Sequence, residues 1–150
     1  MTARTYAHYD EVAALDEVSL RELVRGGSSS ERVWAAWRLA LVVGPPAAGA
    51  LTDALAEEPT AGVRAHWVIV LFSHGEIELV AVLAQHDPSP LVRETAARYL
   101  APTVGRSTAL APTLAACLTD IEPRVRQTAV RHLASDPGPE LSARVRGMVA

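Results

Sequence analysis

Histidine and cysteine are the residues of this chain that could hold a metal ion, and their spacing argues against such a site. A zinc-binding helix places two histidines four residues apart, often as His-Glu-x-x-His. No such pair is present, and Cys117 is the only cysteine, so no thiolate cluster or internal disulfide is expected. The scattered histidines are His8, His66, His74, His86 and His132. We expect no metal site and no cofactor.

Serine and glycine, which could supply a nucleophile or a phosphate-binding loop, are also poorly arranged for catalysis. An esterase-type nucleophile needs a Gly-x-Ser-x-Gly turn, and the sequence contains none. The segment 26–30, Gly-Gly-Ser-Ser-Ser, lacks the lysine and the preceding strand of a phosphate-binding loop. We therefore expect no catalytic residues and favour a non-catalytic protein over an enzyme.

Composition and charge describe a single domain with a sizeable apolar core. Hydrophobic residues make up 49% of the 150 residues, charged residues 21%, and the net charge is −3. The charge is uneven, because residues 91–150 hold eight arginines and five acids, whereas residues 1–60 hold five arginines and nine acids. This mild polarity can orient a partner but does not predict strong nucleic-acid binding.

The sequence also indicates the cellular location of the protein and the kind of organism it comes from. Its first ten residues lack the apolar core of a signal peptide, and its longest apolar runs, such as 67–72, are too short to span a bilayer. All 14 basic residues are arginine, which favours the codon bias of a high-GC bacterial genome. We expect a bacterial, cytoplasmic protein that does not associate with membranes.

Four nine-residue segments that begin with valine and end with leucine indicate an internal repeat. The segments are Val33–Leu41, Val63–Leu71, Val92–Leu100 and Val125–Leu133, and their valines lie 30, 29 and 33 residues apart. A fixed period in this range is typical of stacked repeats, in which one unit cannot bury its apolar face alone. Alanine, leucine and arginine dominate, and glycine or proline recurs every 10–15 residues, so each unit is predicted to be a pair of helices.

Two stretches, 87–100 (DPSPLVRETAARYL) and 120–133 (DIEPRVRQTAVRHL), carry a family resemblance. They resemble HEAT repeats, in particular the short bacterial repeats related to phycobilin-lyase-type HEAT domains. The resemblance implies an all-α, right-handed, armadillo-like α-solenoid of about four helical hairpins. Within one continuous domain we expect an N-terminal capping helix over 1–27, repeats over 28–134 and a C-terminal capping helix over 135–150.

An acid precedes three of the repeat arginines by six residues, which predicts a structural ladder. An acid at the start of a helix and an arginine further along can bridge within one unit or to the next, and HEAT families use such ladders to lock their stacking. A ligand-binding row of arginines is the alternative. Trp34 replaces the arginine in the first segment, so the ladder is expected to end there. The ladder residues are Glu58, Arg64, Asp87, Arg93, Asp120 and Arg126.

Two tryptophans, Trp37 and Trp67, occupy the fourth position after the valine in the first two segments. Helical phase places this position on the same stripe as the valine and the closing leucine, so it should face the core. We therefore interpret the tryptophans as packing residues and not as a cofactor slot. A Ser-x-x-Glu capping box, Ser28–Glu31, predicts that the helix of the first segment begins near residue 29.

The positions two, three, six and seven after each valine are predicted to point outward, along the inner curve of the stack. They are apolar in the first two segments, apart from His66, and polar or charged in the last two. An exposed apolar patch is usually covered by another surface. We therefore expect the apolar half of this face to dock an apolar segment of a partner, and the basic half to hold the acidic or polar end of the same segment. The predicted contact residues are Leu39, His66, Ile69, Val70, Arg98, Tyr99, Arg131 and His132.

These observations favour a protein-binding scaffold or accessory subunit. Its partner would be another protein or a peptide segment. The N-terminal helix, or a second copy in a homodimer, could instead cover the apolar face. Two other functions stay open. One is a HEAT-type lyase or small-molecule site formed by Trp34, His66 and Tyr99, and the other is weak nucleic-acid binding by the C-terminal arginines.

Overall fold

A computed structural model describes residues 6–106 and 108–133. Every regular element in those ranges is helical, and the predicted all-α class is confirmed. Two 3-10 turns, Ala101–Arg106 and Thr108–Leu110, follow the seventh α-helix. The α-helices are α1 Tyr9–Ala13, α2 Glu17–Gly26, α3 Ser29–Val43, α4 Pro46–Leu55, α5 Ala61–Ser73, α6 Ile77–His86, α7 Pro90–Leu100, α8 Ala111–Leu118 and α9 Pro123–Leu133.

The chain divides into two compact units, Met1–Glu76 and Ile77–Ala150. The first contains α1 to α5, and the second contains α6 to α9. The predicted C-terminal capping helix, 135–150, lies outside the described residues. Within the described residues, no helix is both long enough and apolar enough to cross a membrane.

Local sequence signals fix where several helices begin and end. At the start of α3 the predicted capping box is present, since Ser28 N–H donates to Glu31 Oε2 (2.6 Å) and Glu31 N–H donates to Ser28 Oγ (3.4 Å). Asp16 caps α2 by accepting the Ser19 N–H at 2.8 Å. Gly44 follows α3 with a φ of 70°, a left-handed conformation that a side chain would disfavour.

In the first unit, α3 is the central helix and packs against α1, α2, α4 and α5. Its buried side chains meet a core that includes Leu20 of α2, Leu51 of α4 and Trp67 of α5. Full burial of one large apolar side chain contributes about 1.5–3 kcal/mol. The N-terminal helices are thus part of this core, since Val12 of α1 is also buried.

In the second unit, α7 packs against α6, α8 and α9. Val92 and Leu100 of α7 and Val125 of α9 are fully buried, as the valine-to-leucine stripes predict for these two segments. Cys117 of α8 is buried as well, and its burial raises the pKa of the thiol to about 11. The side chain therefore acts as a small apolar group in the core.

Candidate functional site

The arginine after each valine holds the turn in front of its own helix. Arg93 Nη1 donates to the carbonyls of Asp87 (2.9 Å) and Pro88 (3.3 Å). Arg126 Nη1 makes the same pair of bonds to Asp120 (2.7 Å) and Ile121 (2.9 Å). Arg64 Nη1 donates to the carbonyls of Glu58 (3.0 Å) and Pro59 (3.1 Å). Each bond satisfies a carbonyl in the loop that leads into the helix.

The opposite edge of the Arg93 guanidinium binds a carboxylate from the next repeat. Nε and Nη2 donate to the two oxygens of Asp120 at 2.8 and 3.0 Å, and Asp120 Oδ1 also accepts the Glu122 N–H at 2.8 Å. The hydrogen bond from Arg93 is the largest cause that lowers the pKa of Asp120, and the bond to Asp120 raises the pKa of Arg93. Both side chains are about nine-tenths buried, so this is a desolvated, bidentate ion pair.

The same bridge exists in the first unit, where it was not expected. Arg32 Nε and Nη2 donate to the two oxygens of Glu58 at 2.6 and 2.9 Å, and Arg32 Nη1 donates to the carbonyl of Gly27 at 2.6 Å. Glu58 also accepts the Thr60 N–H at 2.8 Å. The expectation that the ladder ends at Trp34 is therefore wrong, because Arg32, on the other side of Val33, serves as the arginine of that repeat.

In α3 the nine-residue repeat segment consequently begins at Glu31, two residues before the predicted start at Val33. We call this alignment of the segments the repeat frame. Leu39 is fully buried and corresponds to Leu100, whereas the predicted closing residue, Leu41, is 70% exposed. Glu31 occupies the place that valine holds in the other copies and is 3% exposed. Burial acts to raise the pKa of Glu31, but the N–H groups of Tyr6 (2.6 Å) and Ser28 and the Ser28 hydroxyl outweigh it, so the pKa is lowered.

This frame changes which predicted contact residues reach the surface. Leu39 and Val70 are buried to within 1% exposure, so neither can contact a partner, and this part of the prediction is wrong. Ile69 is half-buried, and His66 is exposed with its Nδ1 2.8 Å from the carbonyl oxygen of Gly62. The apolar half of the predicted surface therefore loses two of its three apolar contact residues and keeps Ile69.

The outward side of α3 carries a different apolar surface. Residues three and four apart share one face of a helix, and this rule groups four side chains that we name the α3 stripe: Trp34, Trp37, Arg38 and Leu41. Both tryptophans are half-buried, Leu41 is 70% exposed, and the adjacent Val42 is 51% exposed. The stripe is thus an apolar strip with one cation, whose Nε forms no hydrogen bond within the described residues.

The two tryptophans predicted to face the core behave differently. Trp67 is 1% exposed and its indole N–H donates to the carbonyl of Arg32 at 3.3 Å, so it is a packing residue. Trp37 lies in the α3 stripe, so the prediction that it faces the core is wrong. The shifted frame is the reason, because Ala35 occupies the core position that Trp67 fills in α5.

In the second unit, α7 and α9 together present a basic surface that we name the α7–α9 face. Glu94 Oε1 accepts bonds from Arg98 (3.2 Å) and from the Thr128 hydroxyl (3.4 Å), and Arg124 Nε lies 4.0 Å from Glu94 Oε2. The side chains of Arg98 and Arg124 are 54% and 82% exposed, and Arg131 is also exposed. Glu94 is thus flanked by two exposed arginines, and Arg131, one helical turn beyond Thr128 on α9, adds a third positive charge.

The two remaining predicted contact residues are Tyr99 and His132. Tyr99 is half-buried in α7, one residue after Arg98. The side chain of His132 lies outside the described residues. The sequence predicted neither Arg32 nor Arg124 as a site residue, and it placed Leu41 in the core as the closing residue of a repeat segment. One signal was available, because Arg32 precedes Glu58 by 26 residues and Arg93 precedes Asp120 by 27.

The structure also bears on small-molecule and metal chemistry. A cleft of about 220 Å³ in the first unit is lined by Arg25, Arg32, Glu57 and Glu58 together with apolar residues. Neither Trp34 nor His66, which the lyase interpretation requires, lines it. Within the described ranges, no three histidine, cysteine or acidic side chains are placed to hold a metal ion.

Comparison with known families agrees with the repeat geometry. A family model described as HEAT repeats matches residues 77–149. Residues 77–149 therefore carry HEAT repeats. The predicted family is thereby confirmed, and the match is consistent with an all-α solenoid. HEAT repeats generally mediate protein interactions. Searches of curated proteins and of solved structures found no match to this chain.

Proposed function

We propose that this HEAT-repeat protein is a non-catalytic binding scaffold or accessory subunit whose α3 stripe receives an apolar segment of another protein. The observation that carries the proposal is the 70% exposure of Leu41, one helical turn beyond Trp37 and on the same face of α3 as the half-buried Trp34 and Trp37. Tryptophan and arginine are enriched among the residues that dominate binding energy at protein interfaces. The α3 stripe holds two tryptophans and an arginine within five residues, Trp34 to Arg38.

The rigidity of α3 supports this function. The capping box fixes its first turn, the Arg32–Glu58 bridge ties it to the loop before α5, and four neighbouring helices pack against it. A partner segment would therefore meet a preformed surface and would lose little free energy to ordering it. Complete burial of an exposed leucine contributes about 1.5–3 kcal/mol, so Leu41 alone could change the dissociation constant by tenfold or more.

Charge would set the orientation of the partner and contribute less to its affinity. Arg38 lies within the α3 stripe and suits an acidic residue beside the apolar segment. The α7–α9 face, with Arg98, Arg124 and Arg131 exposed, suits an acidic portion of a partner in the same way. Exposed charges of this kind mainly steer encounter and exclude wrong partners. The arginine-only basic composition supports a bacterial, cytoplasmic setting as part of the proposal.

The experiment is capture of proteins from an extract of the native host on three immobilised baits: the natural protein, Leu41→Asp and Val18→Asp. Val18 lies in α2 of the same unit and is 67% exposed, so it is a matched control for Leu41. We expect proteins retained by the natural protein to persist with Val18→Asp and to fall at least tenfold with Leu41→Asp. Equal profiles from all three baits would refute the proposal.

Self-association is distinguished by sedimentation velocity on the same three proteins. If the α3 stripe binds a second copy, the natural protein and Val18→Asp will sediment as dimers and Leu41→Asp as a monomer. That result would show that the α3 stripe binds a second copy of this chain and not a different protein. Three monomeric proteins with a Leu41-dependent capture profile would agree with the proposal.

A further inference from the structure

The bridging arginines of this chain use both edges of the guanidinium group. In Arg32 and in Arg93, Nη1 binds carbonyl oxygen in the preceding loop, and Nε with Nη2 binds both oxygens of one carboxylate. The carboxylate comes each time from the loop of the next repeat and also accepts an N–H two residues further on. Among the bonds described above, one complete example of this recognition geometry lies in each unit.

Arg126 in α9 has half of this arrangement. Its Nη1 donates to the carbonyls of Asp120 (2.7 Å) and Ile121 (2.9 Å), which fixes the guanidinium plane as in Arg93. Within the described residues, no acceptor is bonded to its Nε or Nη2. The residue is half-buried, and its guanidinium offers five N–H donors and no acceptor. Arg126 thus presents an oriented pair of donors to which no carboxylate is bound in that part of the chain.

An apolar group stands beside these donors. Ile121, in the turn that Arg126 holds, is 86% exposed, the largest exposed fraction among the large apolar side chains described. The corresponding positions of the earlier repeats are Pro59 and Pro88. A branched aliphatic side chain with this exposure is unfavourable in water and gains free energy when another surface covers it.

We infer that Arg126 and Ile121 form a second docking site, which takes an acidic residue next to an apolar residue from a partner protein. The carboxylate would bind Nε and Nη2 through two parallel hydrogen bonds, as Asp120 binds Arg93, and the apolar side chain would cover Ile121. A carboxylate is the ligand of choice because the chain itself uses one in both complete examples. The inference does not depend on the α3 stripe, which lies in the other unit.

The experiment uses the full chain with ¹⁵N-labelled arginine and follows the Nε–Hε signals by NMR at low ionic strength. The probe is the capped hexapeptide Leu-Thr-Asp-Ile-Gln-Pro, a copy of residues 118–123 with glutamine in place of Glu122. We expect the Arg126 signal to shift and saturate, while the Arg93 signal, already bound to Asp120, stays in place. The peptide with asparagine in place of aspartate should bind roughly tenfold more weakly.

Two results would overturn the inference. One is an Arg126 signal that does not move, which would show that the donors are inaccessible or already bound to another carboxylate of the chain. The other is a linear shift shared with the exposed Arg131, which would show non-specific ion pairing. The variant Ile121→Ser separates the two parts of the site. Because Ile121 is exposed, the fold should be unaffected, and peptide affinity should fall about threefold or more.

Discussion

Removal of the Asp120 carboxylate should destabilise the second unit strongly. In Asp120→Ala the guanidinium of Arg93 loses two hydrogen bonds and stays buried, and the Glu122 N–H loses its acceptor. A buried pair that loses one partner typically costs about 3–5 kcal/mol, because an uncompensated charge is left behind. Domains of this kind are stable by about 5–15 kcal/mol, so the loss would be a large fraction of the total.

The assay is urea unfolding followed by far-UV circular dichroism, for the natural protein, Asp120→Ala, Arg93→Met and the double variant. We expect the double variant to lose less unfolding free energy than the two single variants lose together, by at least about 2 kcal/mol. The reason is that the double variant leaves neither charge unpaired. Arg98→Met is the control, because Arg98 is 54% exposed and its pair with Glu94 contributes about 0.3–0.5 kcal/mol. Additive losses, or an Asp120→Ala loss as small as that of the control, would refute the reasoning.

The pH dependence gives a second check on the same pair. The bond from Arg93 lowers the pKa of Asp120 in the folded protein, so the carboxylate stabilises the fold fully above the unfolded pKa of about 3.9. This contribution is lost as the pH falls through the lower, folded pKa. The difference in unfolding free energy between the natural protein and Asp120→Ala should therefore shrink below about pH 4. A difference that is constant down to pH 2 would contradict the assignment.

Three further predictions follow from single side chains. Glu31→Gln should cost about 1 kcal/mol at pH 7, because the carboxylate loses its bonds to the N–H groups of Tyr6 and Ser28. Since the folded pKa of Glu31 is lowered, this loss should shrink as the pH falls below the unfolded pKa of about 4.3, and urea unfolding at pH 7 and pH 3 measures the change. Trp67→Phe should cost about 1–3 kcal/mol in the same assay, because the buried Arg32 carbonyl loses the indole N–H. Cys117 should react with a disulfide reagent at pH 8 at least about a hundredfold more slowly in the native protein than in denaturant, since its thiol pKa is about 11 and not 9.0. Equal rates would show that the thiol is accessible.

The sequence predicted the helical repeats well where apolar side chains keep the repeat. In α5, α7 and α9 the segments begin at Val63, Val92 and Val125, and each of these valines is buried as expected. In α3 the same position holds Glu31, whose charge is compensated by the helix cap and by Tyr6. The valine pattern therefore places the start of the segment at Val33, two residues after its position in the structure. Only the bonds of Glu31 and Arg32 reveal the correct start.

The predicted outward face also included helix positions that neighbouring helices cover. Position three after the valine was expected to reach solvent, yet Thr95 of α7 and Thr128 of α9 are buried. A helix in a repeat packs against its hairpin partner and against the next long helix, and in the second unit α7 contacts both α6 and α9. The two neighbours leave a narrow exposed arc. Arg98 and Arg131 lie within that arc, so these two arginines are exposed as predicted, whereas Leu39 and Val70 are not.

The frame of α3 decides whether the α3 stripe exists, and one pair of substitutions tests it most directly. Leu39→Ala and Leu41→Ala remove the same atoms two residues apart, from a fully buried side chain and from one that is 70% exposed. Urea unfolding should show a loss of about 2–5 kcal/mol for Leu39→Ala and a change within about 0.5 kcal/mol for Leu41→Ala. Equal losses, or a larger loss for Leu41→Ala, would contradict the account.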